Sequence, residues 1–195
     1  MFEKLKEIKR NICRKINRWF YTPERIYHYL ESGTYHVIDK DNNGIKVEFE
    51  LIDKFDQEDM QLFESEEKGC SDIDIIGVTI VFDSDDIYIA YSLEAIEKDL
   101  FDLNPLLVWS EIIDMGKHEG FHAKQYIYII RKAGLDGVEQ VRKYMQQVDY
   151  EENVIELGAY TYQFWGKEQD FEKELDPIIN GEYNFEKYTD NVAVA

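Results

Sequence analysis

From Pro105 to Ala133 the chain keeps a helical hydrophobic period with no internal proline, and this stretch constrains the fold more than any other. Asn104-Pro105 reads as its start, since proline suits the first helical position, where its missing N–H is no loss. Leu106, Leu107, Trp109, Ile112 and Ile113 follow at helical spacing, and Ala133-Gly134 offers a C-terminal stop. Two further helices are expected downstream, at about 137–147 and 151–167.

The upstream half has a different rhythm. Thr22-Pro23 opens a short helix that should reach about Leu30 and end at Gly33. "TYHVIDKDNNGIKVEFELI" then reads as a β-hairpin, because Ile45, Val47, Phe49 and Leu51 alternate with Lys46, Glu48 and Glu50. "DIIGVTIVF" reads as a buried central strand, "DSDD" as a turn, and "IYIAYS" as a strand antiparallel to the one before. "SLEAIEKDL" begins with a helix cap at Ser92. The order is α+β: N-terminal helices, a small antiparallel sheet, then a helical half. The expected division is 1–31 basic N-terminal helices, 32–176 main domain and 177–195 acidic, tyrosine-rich tail.

Charge narrows the partners. The chain carries −19 in all, which disfavours direct nucleic-acid binding by the acidic body. The first twenty residues run the other way: Lys4, Lys6, Lys9, Arg10, Arg14, Lys15 and Arg18 face only Glu3 and Glu7, which leaves −24 on the remainder. Phe2, Leu5, Ile8, Ile12, Ile16 and Trp19 recur at helical spacing within that segment. The plain expectation is a helix packed on the domain and paired with its acidic body; contact with a protein partner or a membrane surface through residues 1–20 is the sharper one. Cys13 and Cys70 give no disulfide framework. There is no apolar targeting region, and the longest apolar run, Ile75 to Phe82, is too short to span a bilayer. A cytoplasmic protein is the default expectation.

One motif match is discounted. Asp39, Asp41, Asn43, Gly44 and Glu50 satisfy the calcium-loop pattern, but strand-like residues flank them where helices are needed. A turn is the expected role, since Asn and Gly tolerate positive φ.

"GKHEGFHAK", Gly116 to Lys124, holds H-E-x-x-H inside the long helix. Residues four apart share a helix face, so His118 and His122 can direct two imidazoles at one metal ion. Zinc suits imidazole, and Glu119 lies beside the metal rather than on it, placed to take a proton from the bound water. An accidental solvated face on an acidic helix is the plain alternative. His28 and His36 read as structural.

A third ligand is sought downstream, where "YEENVIELGAYTYQ" puts Glu152 and Glu156 on one helix face. Here the chain resembles the gluzincin-type zinc metallopeptidases, in which a second helix carries a ligand glutamate in an E-x-x-A-like setting. Glu156-Leu157-Gly158-Ala159 matches that setting, with Asn153 before it, and the resemblance covers about Ile73 to Gly166. It implies a zincin-like fold, Zn²⁺ held by His118, His122 and Glu156, with Glu152 the fallback, and Glu119 as general base. Tyr160 is a candidate for stabilising the oxyanion, with Tyr150 and Tyr162 equally placed. Gly116 and Gly120 depart from a good helix by roughly 1 kcal/mol each against Ala. Lys117 puts positive charge beside the metal, and Lys124 stands where the family usually has an apolar residue.

Two function classes follow. One is a zinc-dependent metallopeptidase that hydrolyses a peptide or protein substrate laid along an edge strand, with "DIYIAYS" the candidate edge. The other is a non-enzymatic structural or interaction protein on the same scaffold. Small acidic chains of this kind resemble bacteriophage products, which would make virion association possible.

Overall fold

Two N-terminal helices, α1 (Phe2–Phe20) and α2 (Pro23–Val37), precede three strands, β1 (Lys46–Ile52), β2 (Gly77–Asp83) and β3 (Asp86–Ser92). The helical half follows as α3 (Leu93–Leu100), α4 (Pro105–Met145), a 3₁₀ turn (Tyr150–Glu152), α5 (Val154–Trp165), α6 (Phe171–Glu174) and α7 (Asp176–Ile179). This α+β arrangement is seen in a computed structural model, which describes residues 2–38, 42, 44–56, 59 and 75–183.

Local chemistry explains most element starts. The Asn104 side chain accepts from Leu106 N and Pro105 fills the first helical position of α4. Ser92 accepts from Ala95 N at the start of α3, and Asn153 accepts from Ile155 N at the start of α5. Gly134 takes φ 63°, ψ −152° and breaks α4 into two arms, so the two helices expected over 105–133 and 137–147 join there at a kink.

The sheet differs from expectation in two ways. Its order is β1-β3-β2, so β3, which carries "IYIAYS", is central and β2 is an edge. β3 pairs antiparallel with β2 as expected, with Gly77 opposite Tyr91, but parallel with β1, with Lys46 opposite Asp86. The sheet is therefore mixed. The expected hairpin fails because α2 does not stop at Gly33: Thr34, Tyr35, His36 and Val37 stay helical, and β1 has no neighbour among them. Gly44 turns the chain into β1 at φ 92°. Asp39, Asp41 and Asn43 of the discounted calcium pattern, Cys70, and the tail beyond Tyr183 lie outside the described residues.

The core runs from Ile26 and Leu30 of α2, through Ile87, Ile89 and Tyr91 of β3, to Val108, Ile112 and Ile129 of α4. Leu175, Ile178 and Ile179 close it at the other end. The expected boundaries at 31/32 and 176/177 fall inside α2 and α7, so both helices belong with the main body. His28 and His36 sit exposed on α2, and His28 lies 3.5 Å from Glu31.

Candidate metal centre

The centre is built on α4 and braced from behind. A Cβ on Gly33 would fall 2.2 Å from Ile113 O, one on Gly116 2.3 Å from Leu30 O, and one on Gly120 2.9 Å from Thr34 O. Helices α2 and α4 thus touch backbone to backbone, which only glycine permits. The two glycines that weaken α4 in isolation are what let α2 reach it. Thr34 Oγ1 lies 3.0 Å from Leu30 O and 3.2 Å from Gly116 O, and Tyr91 OH is 3.2 Å away. At about 100° per residue, His118 and His122 lie roughly 200° around the helix from Gly116 and Gly120, facing α5.

There the two histidines meet Glu156. His118 Nε2 and His122 Nε2 are 3.0 Å apart, and Glu156 oxygens lie 3.4 Å from the first and 3.2 Å from the second. Three ligands about 2.0–2.1 Å from a tetrahedral ion stand about 3.3 Å from one another, which these separations match. All three side chains are buried. His118, His122 and Glu156 form a group that can hold a metal ion.

The outer hydrogen bonds point the imidazoles inward. Gln125 Nε2 donates to Ile155 O at 2.9 Å and to Gln169 Oε1 at 2.8 Å, which fixes its Oε1 against His122 Nδ1 at 2.9 Å. Gln163 Oε1 lies 3.1 Å from His118 Nδ1. Amide oxygens only accept, so both Nδ1 atoms carry the proton and both Nε2 lone pairs face the centre with the carboxylate. Three converging acceptors are satisfied only by a proton or a cation between them. The chain alone uses a proton: burial opposes charge on His122, but Glu156, with help from Glu119, outweighs it and pushes the imidazole up to about 10. Burial likewise opposes ionisation of Glu156, and the two histidines hold its carboxyl well below the ordinary range.

Glu119 is set apart. Its Oε2 accepts from Thr79 Oγ1 at 2.7 Å, and its carboxylate crowds Gly77 of β2, where a Cβ would fall 2.8 Å from Oε1. It is buried beside the group without joining it. A cleft of about 360 Å³ opens over these residues, lined by Ile76, Val78, Met115 and Ile155 and by Tyr160.

The three tyrosine candidates separate. Tyr150 OH donates to Glu156 Oε2 at 2.7 Å and lies 3.1 Å from Tyr160 OH. Burial, then the Glu156 charge, raises the Tyr150 phenol far above its usual range. The Tyr160 ring stands 4.5 Å from that of His118. Tyr162 stacks on Phe121 at 4.9 Å and does not line the cleft. Glu152 is exposed on the 3₁₀ turn, because α5 starts only at Val154. Lys117 pairs with Asp114 at 2.7 Å and Lys124 with Glu168 at 2.7 Å, which takes both charges off the centre.

Sequence reasoning passed over Thr79, Gln125 and Gln163. Gln125 lies one turn past His122 and Gln163 two turns past Glu156, so helical spacing carried a signal for both. Thr79 carried none, since only the folded sheet brings it to Glu119. Comparison with known protein families, curated proteins and solved structures finds no match to this chain.

Proposed function

We propose that the protein is a zinc-dependent metallopeptidase. The observation that carries this reading is a buried two-imidazole, one-carboxylate group of tetrahedral spacing with a second carboxylate, Glu119, held beside it at the floor of a cleft. His118, His122 and Glu156 would hold the zinc ion, which when bound would act as a Lewis acid and bring the pKa of water near neutrality. Glu119 takes the proton from the attacking water and passes it to the leaving amine, while Thr79 keeps its carboxylate in place. Tyr160, whose hydroxyl hydrogen rests on Tyr150 because Tyr150 donates to Glu156, would turn it to the charge that develops on the scissile carbonyl oxygen. The substrate lies extended along the outer edge of β2, which pairs with no other strand among the described residues and whose first residues line the cleft. This replaces β3, which is central in the sheet and has no free edge.

The test is Glu119→Gln, assayed for zinc by elemental analysis and for turnover on casein. One equivalent of zinc is expected in both proteins, with turnover in the variant lower by ~10² to 10⁴, the usual contribution of a general base. Absence of zinc from both would remove the reading. Zinc in both with casein intact in both would make the metal a staple in a non-enzymatic interaction protein.

A further inference from the structure

Helix α1 turns its apolar face outward. Leu5, Ile8, Ile12, Ile16 and Trp19 fall within about 80° of arc, at 100° per residue. All five are exposed, Trp19 at 80%. The face toward the domain is instead the one bearing Cys13 and Asn17, both buried. The helix packs on the domain and pairs with its acidic body, as the sequence leads one to expect, but it does so with its apolar face outward. The reason lies in what anchors the helix. The Asn17 amide donates to Phe101 O at 3.0 Å and Leu103 O at 3.1 Å, Arg14 pairs with Asp102, and Arg18 reaches Glu97 at 3.3 Å. These polar ties lie on the side opposite the stripe and hold it outward.

Tyr21 OH donates to Pro105 O at 2.7 Å, which sets the end of α1 against the first turn of α4. Leu106, Leu107 and Trp109 are exposed on that turn. Around the stripe, helical spacing places Lys4 and Lys15 on one border and Lys9 on the other, all exposed. Glu7 falls on the far side.

We propose that α1 docks the protein onto an anionic lipid bilayer. The helix lies in the plane of the interface, its aliphatic residues and Trp19 entering the headgroup–acyl boundary while the bordering lysines meet lipid phosphates. No helix among the described residues is long and apolar enough to cross a membrane. The charge argues against the main competing occupant: a second copy seated on the same face would set Lys4, Lys9 and Lys15 against their own kind. The acidic body does not veto an anionic surface, because it stands about one helix diameter, ~10 Å, behind the stripe, beyond the ~8 Å screening length at physiological ionic strength. The metal-ligand segment begins about 20 Å further along α4, at 1.5 Å per residue, so this contact does not require the cleft.

The experiment uses the full chain with sedimented vesicles of phosphatidylcholine alone or with about 30% phosphatidylserine, the leaflet charge on which such basic segments act. Binding is expected on the anionic vesicles only, with a blue shift of tryptophan emission and loss in high salt. Replacing Lys4, Lys9 and Lys15 with Gln should weaken binding roughly a hundredfold, at about fivefold per lysine. Ile12→Glu should abolish it; since Ile12 is exposed, an unchanged thermal melt separates this from misfolding. Three results would overturn the proposal: no sedimentation with anionic vesicles, equal binding to neutral ones, or a dimer in analytical ultracentrifugation that Ile12→Glu dissociates while vesicle binding is absent.

Discussion

The α4–α5 junction buries two imidazoles and two carboxylates at the floor of a cleft, whereas α1 holds five large apolar side chains out in water. Each breaks the ordinary burial rule, and in opposite directions. A buried polar group or an exposed apolar face is the informative exception in a folded chain, because each is costly unless something outside the chain completes it. The junction is a group that can hold a cation, and the helix presents the face proposed above to meet a bilayer. The two regions also differ in what holds them. The junction is fixed by backbone contact through Gly33 and Gly116 and by amide hydrogen bonds from Gln125 and Gln163, while α1 is tied by one buried asparagine and exposed ion pairs. The close-packed, hydrogen-bonded region is thus the one that holds the candidate ligands, and the loosely tied one is the exposed helix.

The largest effect is expected from Gly116→Val. Its Cβ would start 2.3 Å from Leu30 O, and backbone cannot move aside as a side-chain end does. Overpacking of this kind should cost upwards of ~3 kcal/mol, or roughly 6–12 °C of melting temperature in a chain of this size. Metal content should fall with the fold. A variant that melted normally and kept its metal would show that the junction does not depend on α2.

Next come the ligands' own supports. Gln125→Ala should weaken metal binding ~10- to 100-fold, the usual cost of losing a partner that orients an imidazole. The pH dependence sharpens this. Without metal, His122 titrates at about 10 instead of 6.5, so the stability it contributes is complete below pH 6.5 and is lost as pH rises toward 10. Glu156 is depressed, so its contribution is present above its ordinary value of 4.5 and is lost as pH falls below that. With metal, the ligands must shed their protons, so binding strengthens as pH rises. Thermal melts between pH 6.5 and 10 should therefore fall for chelator-treated protein and hold or rise for loaded protein. Parallel curves would mean that the three groups do not share one site.

The same contrast decides what the sequence could reveal. His118 and His122 were legible because helical spacing is local, and so were the start of α4 at Asn104-Pro105 and the break at Gly134. Glu156 was legible only through the resemblance of its setting. The sheet order was not, because β1 pairs with β3 across more than thirty residues of chain and no local pattern encodes which neighbour a strand chooses. Thr34 to Val37 look extended by residue type, yet remain helical because Gly33 and Thr34 fit against Gly116 and Gly120. Amphipathicity revealed that α1 has an apolar face but not which way it points, since Asn17 and Arg14 gain their meaning only from the carbonyls and the carboxylate they meet.

The smallest effect is expected from Ile12→Ser, and its smallness is the point. Ile12 is 53% exposed, so replacing it removes little apolar surface that folding has buried. Serine and isoleucine have similar helix propensities, so the backbone is not penalised either. The melting temperature should move by no more than ~0.5 kcal/mol allows, about 1–2 °C, in dilute lipid-free solution. Ile112, fully buried on α4, gives the contrast: Ile112→Ser should be destabilised by several kcal/mol, since it leaves a cavity and places a hydroxyl in the core. If Ile12→Ser instead lowered the melting temperature by many degrees, and more so at high protein concentration, the face would already be covered in solution by another copy. The exposed stripe would then be half of a protein interface, and the opposition between a buried polar centre and an open apolar helix would no longer hold.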